Sequence, residues 1–461
     1  MTLIASISGV RGTIGGKPGE GLTPIDIVNF ASAYASMLLA QGKKPKVVIG
    51  RDARISGEMV SQLVASTLNG MGINVIDLGL STTPTVEVAV PRLEAGGGII
   101  LTASHNPKQW NALKLLNEKG EFISSEEGNE LLSMIKNGKF SFADVDHLGS
   151  TVSDNTWIDK HIDLILEHDL VDVKAIKKQK YKVAIDCVNS TGGLALPRLL
   201  ERLGVDEIIE LYTEPTGHFP HNPEPLPEHL SDLSAAVRKN DADLGITVDP
   251  DVDRLVFVNE DGTFFGEEYT LVAIADYVLQ NRKGNTVSNL SSTQALKDVT
   301  EKHGGQYTAS AVGEVNVVTE MKATNAVIGG EGNGGIIVPE LHYGRDALIG
   351  TALFLSFMAK TGKRPSQIRA KYPSYFISKN KITLEPGMDV DHILEQVKEK
   401  YNKFEINDAD GVKIIFDGEW VHLRKSNTEP IIRIYSESSS ETTAQNLAQK
   451  LMADIRGIIK D

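Results

Sequence analysis

Three aspartates stand at alternate positions in the segment Asp249-Pro250-Asp251-Val252-Asp253, directly after an apolar run that predicts a strand. Because Pro250 keeps Asp249 out of the helical region, alternate side chains can point the same way and their carboxylates can converge. Three carboxylates this close repel one another unless a cation lies among them, and oxygen ligands suit Mg²⁺ or Ca²⁺. A calcium loop needs glycine at its sixth position, where Arg254 stands, so the pattern favours Mg²⁺. The alternative is an acidic turn that only solvates a loop end.

A second loop, Ala103-Ser104-His105-Asn106-Pro107, also follows an apolar strand and places a serine beside a histidine. A serine hydrolase is disfavoured, because sequence neighbours in a loop rarely face each other and no Gly-x-Ser-x-Gly elbow surrounds Ser104. Two interpretations stay open. Ser104 either accepts a phosphoryl group, whose charge the metal at the acidic loop would cover, or is a surface serine in an Asn-Pro turn.

A glycine-rich segment, 329–335, contains one acid, Glu331, and one amide, Asn333. Glycines bring the backbone close to a ligand, and a carboxylate there suits the paired hydroxyl groups of a sugar. The alternative is a flexible turn without a ligand.

A fourth loop near the C-terminus combines a guanidinium with hydroxyl groups, which together suit a phosphate monoester. Its alternative is a charged edge between a strand and a loop. Near the N-terminus, Arg11 lies in a glycine-flanked segment, where it could reach an anion or be an ordinary exposed arginine. The polar residues of the fourth loop are Arg424, Ser426, Asn427 and Thr428, with Arg433 nearby.

Alternating strands and helices position the first three loops, and each loop follows an apolar strand. This alternation predicts α/β layers with mostly parallel sheets, in which ligands bind beyond the carboxyl ends of strands. From about Ala370 the pattern changes to short strands, with Asp417-Gly418 as a hairpin turn and a final helix over Thr443–Ile459. The predicted fold class is α/β, with three similar mixed-sheet α/β domains plus a C-terminal α+β domain. The predicted domains are 1–150 with the serine loop, 151–256 with the metal-binding loop, 257–369 with the sugar-binding loop and 370–461 with the phosphate-binding loop.

Composition restricts the class of partner. The 461 residues include 47 basic and 61 acidic groups, a formal net charge of −14, which argues against a nucleic-acid binder. The single cysteine, Cys187, lies in an apolar run, so we expect a buried thiol, no internal disulfide and a cytoplasmic location. The N-terminal residues lack the features of a signal peptide, and the apolar stretch Ala347–Ala359 is too short to span a membrane. We expect it to be a core helix and expect no membrane partner.

Taken together, the four loops resemble the motifs of the α-D-phosphohexomutase family, in order and along the whole chain. The resemblance implies four domains around a central cleft, each contributing one loop. It also implies an intramolecular phosphotransferase, a phosphomutase of the isomerase class. Such an enzyme interconverts hexose 6-phosphate and hexose 1-phosphate through a phosphoserine, with a hexose 1,6-bisphosphate as intermediate and activator. The cofactor would be one Mg²⁺ per chain, the partner a small-molecule sugar phosphate, and the chain a monomer or homodimer.

The resemblance also implies a role for each loop residue. The phosphoserine and metal-binding positions would be Ser104, Asp249, Asp251 and Asp253. The catalytic positions beside them would be Arg11, His105, Lys114 and Arg254, among which Arg11 and Lys114 are candidates for proton handling. The sugar-binding positions would be Glu331 and Asn333. The positions for the resident phosphate would be Arg424, Ser426, Asn427, Thr428 and Arg433.

The sugar loop departs from the pattern Gly-Glu-x-Ser-Gly-His that many bacterial members carry. Asn333 stands at the serine position and Gly335 at the histidine position. This form resembles a subgroup described as phosphoglucosamine mutases or phosphomannomutases. We therefore expect glucosamine phosphate as substrate, with mannose or glucose phosphate as the alternatives. Two alternatives come from other classes: a metal-dependent sugar phosphatase, and an inactive sugar-phosphate binding protein, against which the intact Ser104 argues.

Overall fold

The computed structural model describes residues 2–6, 9–385, 388–426 and 431–460. The chain forms two compact units. Unit 1 comprises Met1–Asn281 and Asn333–Arg369, and unit 2 comprises Arg282–Gly332 and Ala370–Asp461.

The regular elements are numbered in chain order. The strands are β1 Ile4–Ser6, β2 Gly9–Thr13, β3 Lys46–Arg51, β4 Asn74–Leu80, β5 Gly97–Leu101, β6 Trp110–Leu116, β7 Thr151–Ser153, β8 Lys182–Asp186, β9 Glu207–Leu211, β10 Leu244–Val248, β11 Leu255–Val258, β12 Asn285–Asn289, β13 Tyr307–Ser310, β14 Ala326–Glu331, β15 Gly335–Ile337, β16 Phe376–Thr383, β17 Glu405–Asn407, β18 Val412–Ile415, β19 Trp420–Lys425 and β20 Ile431–Ser438. The α-helices are α1 Pro24–Ala40, α2 Gly57–Gly70, α3 Thr83–Arg92, α4 Ser125–Asn137, α5 Trp157–Glu167, α6 Val173–Gln179, α7 Gly192–Leu203, α8 Ser231–Lys239, α9 Glu267–Asn281, α10 Ala295–Lys302, α11 Glu314–Thr324, α12 Ala347–Thr361, α13 Pro365–Arg369, α14 Val390–Lys400 and α15 Glu441–Lys460.

Unit 1 contains a seven-stranded mixed sheet with the strand order β1-β2-β6-β5-β3-β4-β7. Strands β3, β4 and β5 are parallel, and β6 and β2 extend the sheet in antiparallel pairing. The serine loop leaves the carboxyl end of β5, which is the edge of the sheet where ligands bind in such folds.

A second sheet in unit 1 has the strand order β11-β10-β8-β9, and its strands β8, β9 and β10 are parallel. Strand β10 is buried along its whole length, and the acidic loop follows its carboxyl end. The expected core helix is present as α12, whose Phe354 stacks on Phe257 with ring centroids 4.0 Å apart. Aromatic and aliphatic side chains on all sides of α12 explain why its sequence is apolar without a polar face.

Unit 2 contains two sheets. Strand β12 pairs in parallel with both β13 and β14. The other sheet is antiparallel, with the strand order β16-β20-β19-β18-β17. Helices α14 and α15 cover one of its faces, where Ile432 and Ile434 of β20 pack with Leu451 of α15. Alternate residues of β20, including Arg433, therefore point to the opposite face.

The predicted fold class is confirmed: mixed α/β sheets precede an α+β segment with an antiparallel sheet. Cys187 is buried, as predicted. The first part of the glycine-rich segment 329–335 is strand and not loop, because Gly329 and Gly330 continue the ladder with β12 and the strand reaches Glu331. Ser56 stands at the N-cap position of α2 without a side-chain capping hydrogen bond, and its Oγ accepts a 2.9 Å hydrogen bond from Nδ2 of Asn111.

Candidate active site

The serine loop holds Ser104 in a constrained and buried position. The residue has φ = 48°, a left-handed conformation that is uncommon for residues other than glycine and is often found at functional sites. Ser104 is 8% exposed, which contradicts the alternative of a surface serine. Its Oγ donates a 2.6 Å hydrogen bond to Oδ2 of Asp249, and Nδ1 of His105 lies 3.4 Å from the same Oγ.

A buried ion pair supports the serine loop. Nε of Arg54 donates a 3.0 Å hydrogen bond to Oδ2 of Asp52, and both side chains are fully buried. Asp52 also accepts from Oγ1 of Thr102, which in turn accepts from the main-chain N–H of Ser104. The other guanidinium N–H groups of Arg54 donate to main-chain oxygens of the loop: those of Ser104, Asn106 at 2.7 Å, Pro107 at 2.8 Å and Trp110 at 3.0 Å.

The three aspartates of the acidic loop converge. One carboxylate oxygen from each lies within 4.8 Å of the others, and all three residues are fully buried. Oδ1 of Asp249 accepts hydrogen bonds of 3.2 Å from the main-chain N–H groups of Asp253 and Arg254, which fixes the curl of the loop. The acidic loop therefore holds its three carboxylates buried and close together, and it is not a solvated turn.

Two cations and a hydroxyl group orient the carboxylates of Asp251 and Asp253 by binding the Oδ2 atom of each. Oδ2 of Asp251 accepts from Oγ1 of Thr83 at 2.6 Å and from Nζ of Lys114 at 2.8 Å. Oδ2 of Asp253 accepts from Nη2 of Arg345 at 2.6 Å. Oδ1 of Asp251 and Oδ1 of Asp253 are buried and accept no hydrogen bond within the described part of the chain. Two buried, unpaired carboxylate oxygens beside Asp249 fit a metal ion with oxygen ligands.

Charge is distributed unevenly in this cluster. Burial, together with the charges of Asp251 and Asp253, raises the pKa of Asp249 well above its usual range. Burial would also raise the pKa of Asp251, but the Lys114 ammonium outweighs it and holds that pKa below its usual range. Burial would lower the pKa of Lys114, but Asp251 and Asp253 raise it, so Lys114 is a cation.

The other predicted catalytic residues, Arg11, His105, Lys114 and Arg254, belong to unit 1, and the charges of Arg254 and Arg11 both act on His105 beside Ser104. In the antiparallel pairing of β2 with β6, Gly9 is opposite Lys114 and Arg11 is opposite Ala112, so Arg11 and Lys114 share one face of the sheet. Burial and the charge of Arg254 lower the pKa of His105 to about 2, so His105 is neutral. Arg254 is 9% exposed, and its Nη1 lies 3.4 Å from Oε1 of Glu224.

Glu331 ends strand β14 in unit 2 and is buried. Its Oε1 accepts a 2.8 Å hydrogen bond from Nδ2 of Asn289, at the end of the neighbouring strand β12. Oγ of Ser292 accepts from the N–H of Gly332, which holds the chain after the glutamate. Asn333 belongs to unit 1, where its Oδ1 accepts a 3.2 Å hydrogen bond from the N–H of Gly335.

The fourth loop begins at the end of β19 in unit 2. Arg424 pairs across the sheet with Arg433, and Arg433 pairs with Lys381 of β16, so three cations form one row. Nε of Arg424 lies 3.3 Å from Oδ2 of Asp410, and Ser426 is buried. The predicted residues Asn427 and Thr428 lie outside the described residues. A cavity of about 330 Å³ beside this row is lined by Lys379, Asn380, Lys381, Ile431, Arg433 and Tyr435.

Three residues that position the groups in unit 1 were not predicted from the sequence. Arg54 holds the serine loop, Thr83 binds Asp251, and Arg345 binds Asp253. Each is distant in sequence from its partner, so spacing alone could not pair them. A signal existed for Arg54, because a charged Asp-Ala-Arg segment directly after an apolar strand is unusual unless the charges pair.

The departure at Gly335 now has a structural explanation. A Cβ atom added at Gly335 would lie 2.3 Å from Cδ of Arg345, whose guanidinium binds Asp253. A larger side chain at this position would therefore displace the Arg345 side chain. Gly335 leaves the room that Arg345 needs to reach the acidic cluster.

Four family models match the chain consecutively. They are described as phosphoglucomutase/phosphomannomutase alpha/beta/alpha domain I over residues 4–142, domain II over 159–262, domain III over 266–375 and the C-terminal domain over 381–454. No helix in the described ranges combines the length and apolarity needed to cross a membrane.

Individual proteins match over nearly the whole chain. A phosphoglucomutase/phosphomannomutase of Thermococcus kodakarensis is 37% identical over 441 residues, which cover 94% of this chain and 95% of the relative. A probable phosphoglucosamine mutase of Methanopyrus kandleri is 32% identical and covers 98% of both chains. The crystal structure of a phosphoglucomutase/phosphomannomutase family protein from Burkholderia thailandensis superposes with a TM-score of 0.85 at 24% identity, covering 98% of this chain and 97% of the other.

Proposed function

Because the chain belongs to the phosphoglucomutase/phosphomannomutase family, we propose that it interconverts glucosamine 6-phosphate and glucosamine 1-phosphate through a phosphorylated Ser104. Membership makes the chain a phosphohexomutase, an intramolecular phosphotransferase of the isomerase class. The observation that carries the phosphoserine proposal is the 2.6 Å hydrogen bond from Oγ of Ser104 to Asp249, inside the buried acidic cluster.

The proposed reaction is a two-step relay that starts from phosphorylated Ser104. In the first step the bond between phosphorus and Oγ of Ser104 breaks, and a new bond forms to the free O1 of a hexose 6-phosphate. The proton of that hydroxyl passes, overall, to Oγ. After the 1,6-bisphosphate turns over, the bond between phosphorus and O6 breaks and a bond between phosphorus and Oγ forms. The proton of Oγ passes, overall, to O6, and the hexose 1-phosphate leaves. Between the two steps the Ser104 hydroxyl donates to Asp249, which holds Oγ in place for the return.

We propose that Asp249, Asp251 and Asp253 hold one Mg²⁺ per chain, together with an oxygen of phosphorylated Ser104. The Oδ1 atoms of Asp251 and Asp253, which are buried and accept no hydrogen bond from the described residues, support this assignment. When bound, Mg²⁺ would neutralise charge on the transferred phosphoryl group. Lys114 and Thr83 keep Asp251 oriented before the substrate arrives, so little reorganisation is needed during the reaction.

The other residues of unit 1 would act on the reacting groups. Lys114 and Arg11 share a sheet face, and we propose them for proton handling and for stabilising the negative charge of the substrate. Arg254 would bind the transferred phosphoryl group. His105 is neutral and lies 3.4 Å from Oγ of Ser104, so it would serve as a hydrogen-bonding group.

The sugar and its resident phosphate would be bound by the other two loops. We propose that Glu331 accepts hydrogen bonds from the sugar hydroxyls and that Asn333 binds the sugar as well. The Asn289 amide orients the Glu331 carboxylate through a 2.8 Å hydrogen bond, which supports this role. The proposed phosphate-binding residues are Arg424, Ser426, Asn427, Thr428 and Arg433.

The preference for glucosamine phosphate rests on the sugar loop and on the named relatives. The segment from Gly330 to Gly335 lacks the serine and histidine of many bacterial members. The Methanopyrus relative, which is named as a probable phosphoglucosamine mutase, supports the same substrate for this chain.

A coupled assay with glucosamine, glucose and mannose 1-phosphates tests this proposal. We expect kcat/KM for the glucosamine ester to exceed the others at least tenfold, which corresponds to about 1.4 kcal/mol of transition-state discrimination. A tenfold preference for glucose or mannose phosphate would contradict the proposed sugar but would leave the assignment as a phosphomutase intact. Release of inorganic phosphate without isomer formation would instead identify a sugar phosphatase.

A further inference from the structure

We propose that unit 1 contains a second metal site, formed by His161, His342 and Asp346, and that Zn²⁺ is the ion it takes. Nε2 of His161 lies 3.0 Å, and Nε2 of His342 lies 3.3 Å, from the same oxygen, Oδ2 of Asp346. The three ligand atoms fall within 4.8 Å of one another. Zinc bound at about 2.0–2.1 Å keeps tetrahedral ligands about 3.3 Å apart, so small movements would admit the ion.

In both histidines Nε2 faces Asp346, and the other ring nitrogen, Nδ1, contacts a second polar group. Metal-binding histidines usually have such a second contact. Nδ1 of His161 lies 3.1 Å from Oγ1 of Thr85. The Thr85 hydroxyl has a second contact, to Oγ1 of Thr82 at 2.7 Å, so its own hydrogen has an acceptor. Nδ1 of His342 lies 3.4 Å from Oε2 of Glu87, which is a carboxylate–histidine contact.

The third ligand is fixed by its place in the helix. Asp346 is the N-cap of α12, and its Oδ1 accepts from the main-chain N–H groups of Leu348 and Ile349. Because Oδ1 is occupied by the helix, Oδ2 is the oxygen that faces the two imidazoles. The carboxylate is therefore held in one orientation without help from the histidines.

Proton counting favours an ion in this cluster. Nε2 of His342 faces Oδ2 of Asp346, and Nδ1 of His342 faces Oε2 of Glu87. A neutral imidazole carries a hydrogen on only one of its two nitrogens, so without a metal one lone pair of His342 would face a carboxylate. With a metal on Nε2, each Nδ1 carries its hydrogen and donates to Thr85 or Glu87.

The cluster shares no residue with the acidic loop and joins distant parts of unit 1. Glu87 lies on α3, His161 on α5, and Asp346 at the start of α12. The side chains of His161 and Asp346 are fully buried, whereas that of His342 is 8% exposed and marks the side from which an ion would enter. A bound ion would therefore stabilise unit 1 by linking α5 to the segment that carries His342 and Asp346, because it binds the folded state only.

The test uses Co²⁺ as a spectroscopic substitute for Zn²⁺ in the full-length chain, stripped with a chelator and kept in excess Mg²⁺. We expect one equivalent of Co²⁺ with the visible absorption of four-coordinate cobalt, displaced by Zn²⁺, and a rise in Tm on adding Zn²⁺. His342→Gln should weaken Zn²⁺ binding by at least about 100-fold and abolish the rise in Tm. His221→Gln, which changes a half-buried histidine paired with Asp186, is the matched control and should bind normally.

Three results would overturn the proposal: no Co²⁺ absorption in excess Mg²⁺, unchanged absorption in His342→Gln, or loss of the absorption in Asp251→Asn, which would assign the ion to the acidic loop. If His342→Gln fails to fold, X-ray absorption at the zinc edge of the zinc-loaded wild-type chain will identify the ligands of the bound ion. Two imidazole ligands support the site, and oxygen ligands alone contradict it.

Discussion

The buried guanidinium of Arg54 donates a hydrogen bond to the main-chain oxygen of Ser104, the residue we propose as the phosphoryl carrier. The same side chain binds the carbonyl oxygens of Asn106 and Pro107 and pairs with Asp52. The left-handed conformation of Ser104 therefore lies in a loop whose main-chain oxygens are held by the Arg54–Asp52 pair. We propose that Arg54 is a positioning residue for Ser104.

Replacing Arg54 by lysine should reduce kcat by about 100-fold, because lysine keeps the charge but cannot bind several carbonyl groups in fixed directions. We also expect a loss of about 3 kcal/mol in the free energy of unfolding, since a buried pair is weakened. Steady-state kinetics and denaturant unfolding measure both. Arg51→Lys is the matched control, because Arg51 makes only a 3.4 Å contact with the Asp52 carbonyl. Equal effects in the two variants would contradict the positioning role.

Replacing Asp251 by asparagine should lower kcat by about 100-fold or more and raise the Mg²⁺ concentration needed for half-maximal activity. The change removes a ligand charge and the ion pair with Lys114. A Mg²⁺ titration of the mutase rate is the measurement, and chelation of the wild-type chain should give the same loss. Asp261→Asn, in an exposed turn, should leave the titration unchanged. Full activity of Asp251→Asn at the usual Mg²⁺ concentration would exclude Asp251 as a ligand of Mg²⁺.

Substituting Gly335 by alanine should disturb the acidic cluster indirectly. The new Cβ would lie 2.3 Å from Cδ of Arg345 and force its guanidinium away from Asp253. We expect a fall of about tenfold in kcat, because the carboxylate loses a charge-assisted hydrogen bond. Gly457→Ala, on helix α15 where a Cβ meets nothing within 4 Å, is the control and should keep full activity. Wild-type kinetics for Gly335→Ala would show that Arg345 is dispensable.

His221 should make the stability of the chain depend on pH. Burial would lower its pKa, but the hydrogen bond and charge of Asp186 outweigh burial and raise the pKa above its usual value. Because the folded-state pKa is raised, the stabilisation is fully present below the unfolded pKa of about 6.5 and is lost as pH rises through the folded pKa. The Tm difference between wild type and His221→Gln should therefore be largest below about pH 6.5 and should shrink as the pH rises above it. A difference independent of pH would mean that the pair contributes no proton linkage.

The sequence allowed prediction of those features that depend on local pattern. Strand β10 and the acidic loop after it were recognisable because an apolar run ends in alternating aspartates. Helix α12 was recognisable because the run Ala347–Ala359 is almost entirely apolar, and the structure buries all thirteen of these residues. In both cases the sequence pattern that allowed the prediction lies within one segment of the chain.

What could not be predicted depends on contacts between distant segments. Asp253 meets Arg345 across 92 positions of sequence, and His161 meets Asp346 across 185. Such pairs arise only when the sheets and helices of unit 1 pack together. The end of β14 was missed for a different reason: Gly329 and Gly330 favour a loop by themselves, and only the ladder with β12 makes them a strand.

If Ser104 carries the transferred phosphoryl group, mass spectrometry of the freshly purified chain should detect the phosphorylated residue. We predict a fraction heavier by about 80 Da, mapped to Ser104 by peptide analysis, drained by glucosamine 6-phosphate and absent in Ser104→Ala. An unmodified Ser104, even after incubation with glucose or glucosamine 1,6-bisphosphate, would contradict the phosphoserine relay.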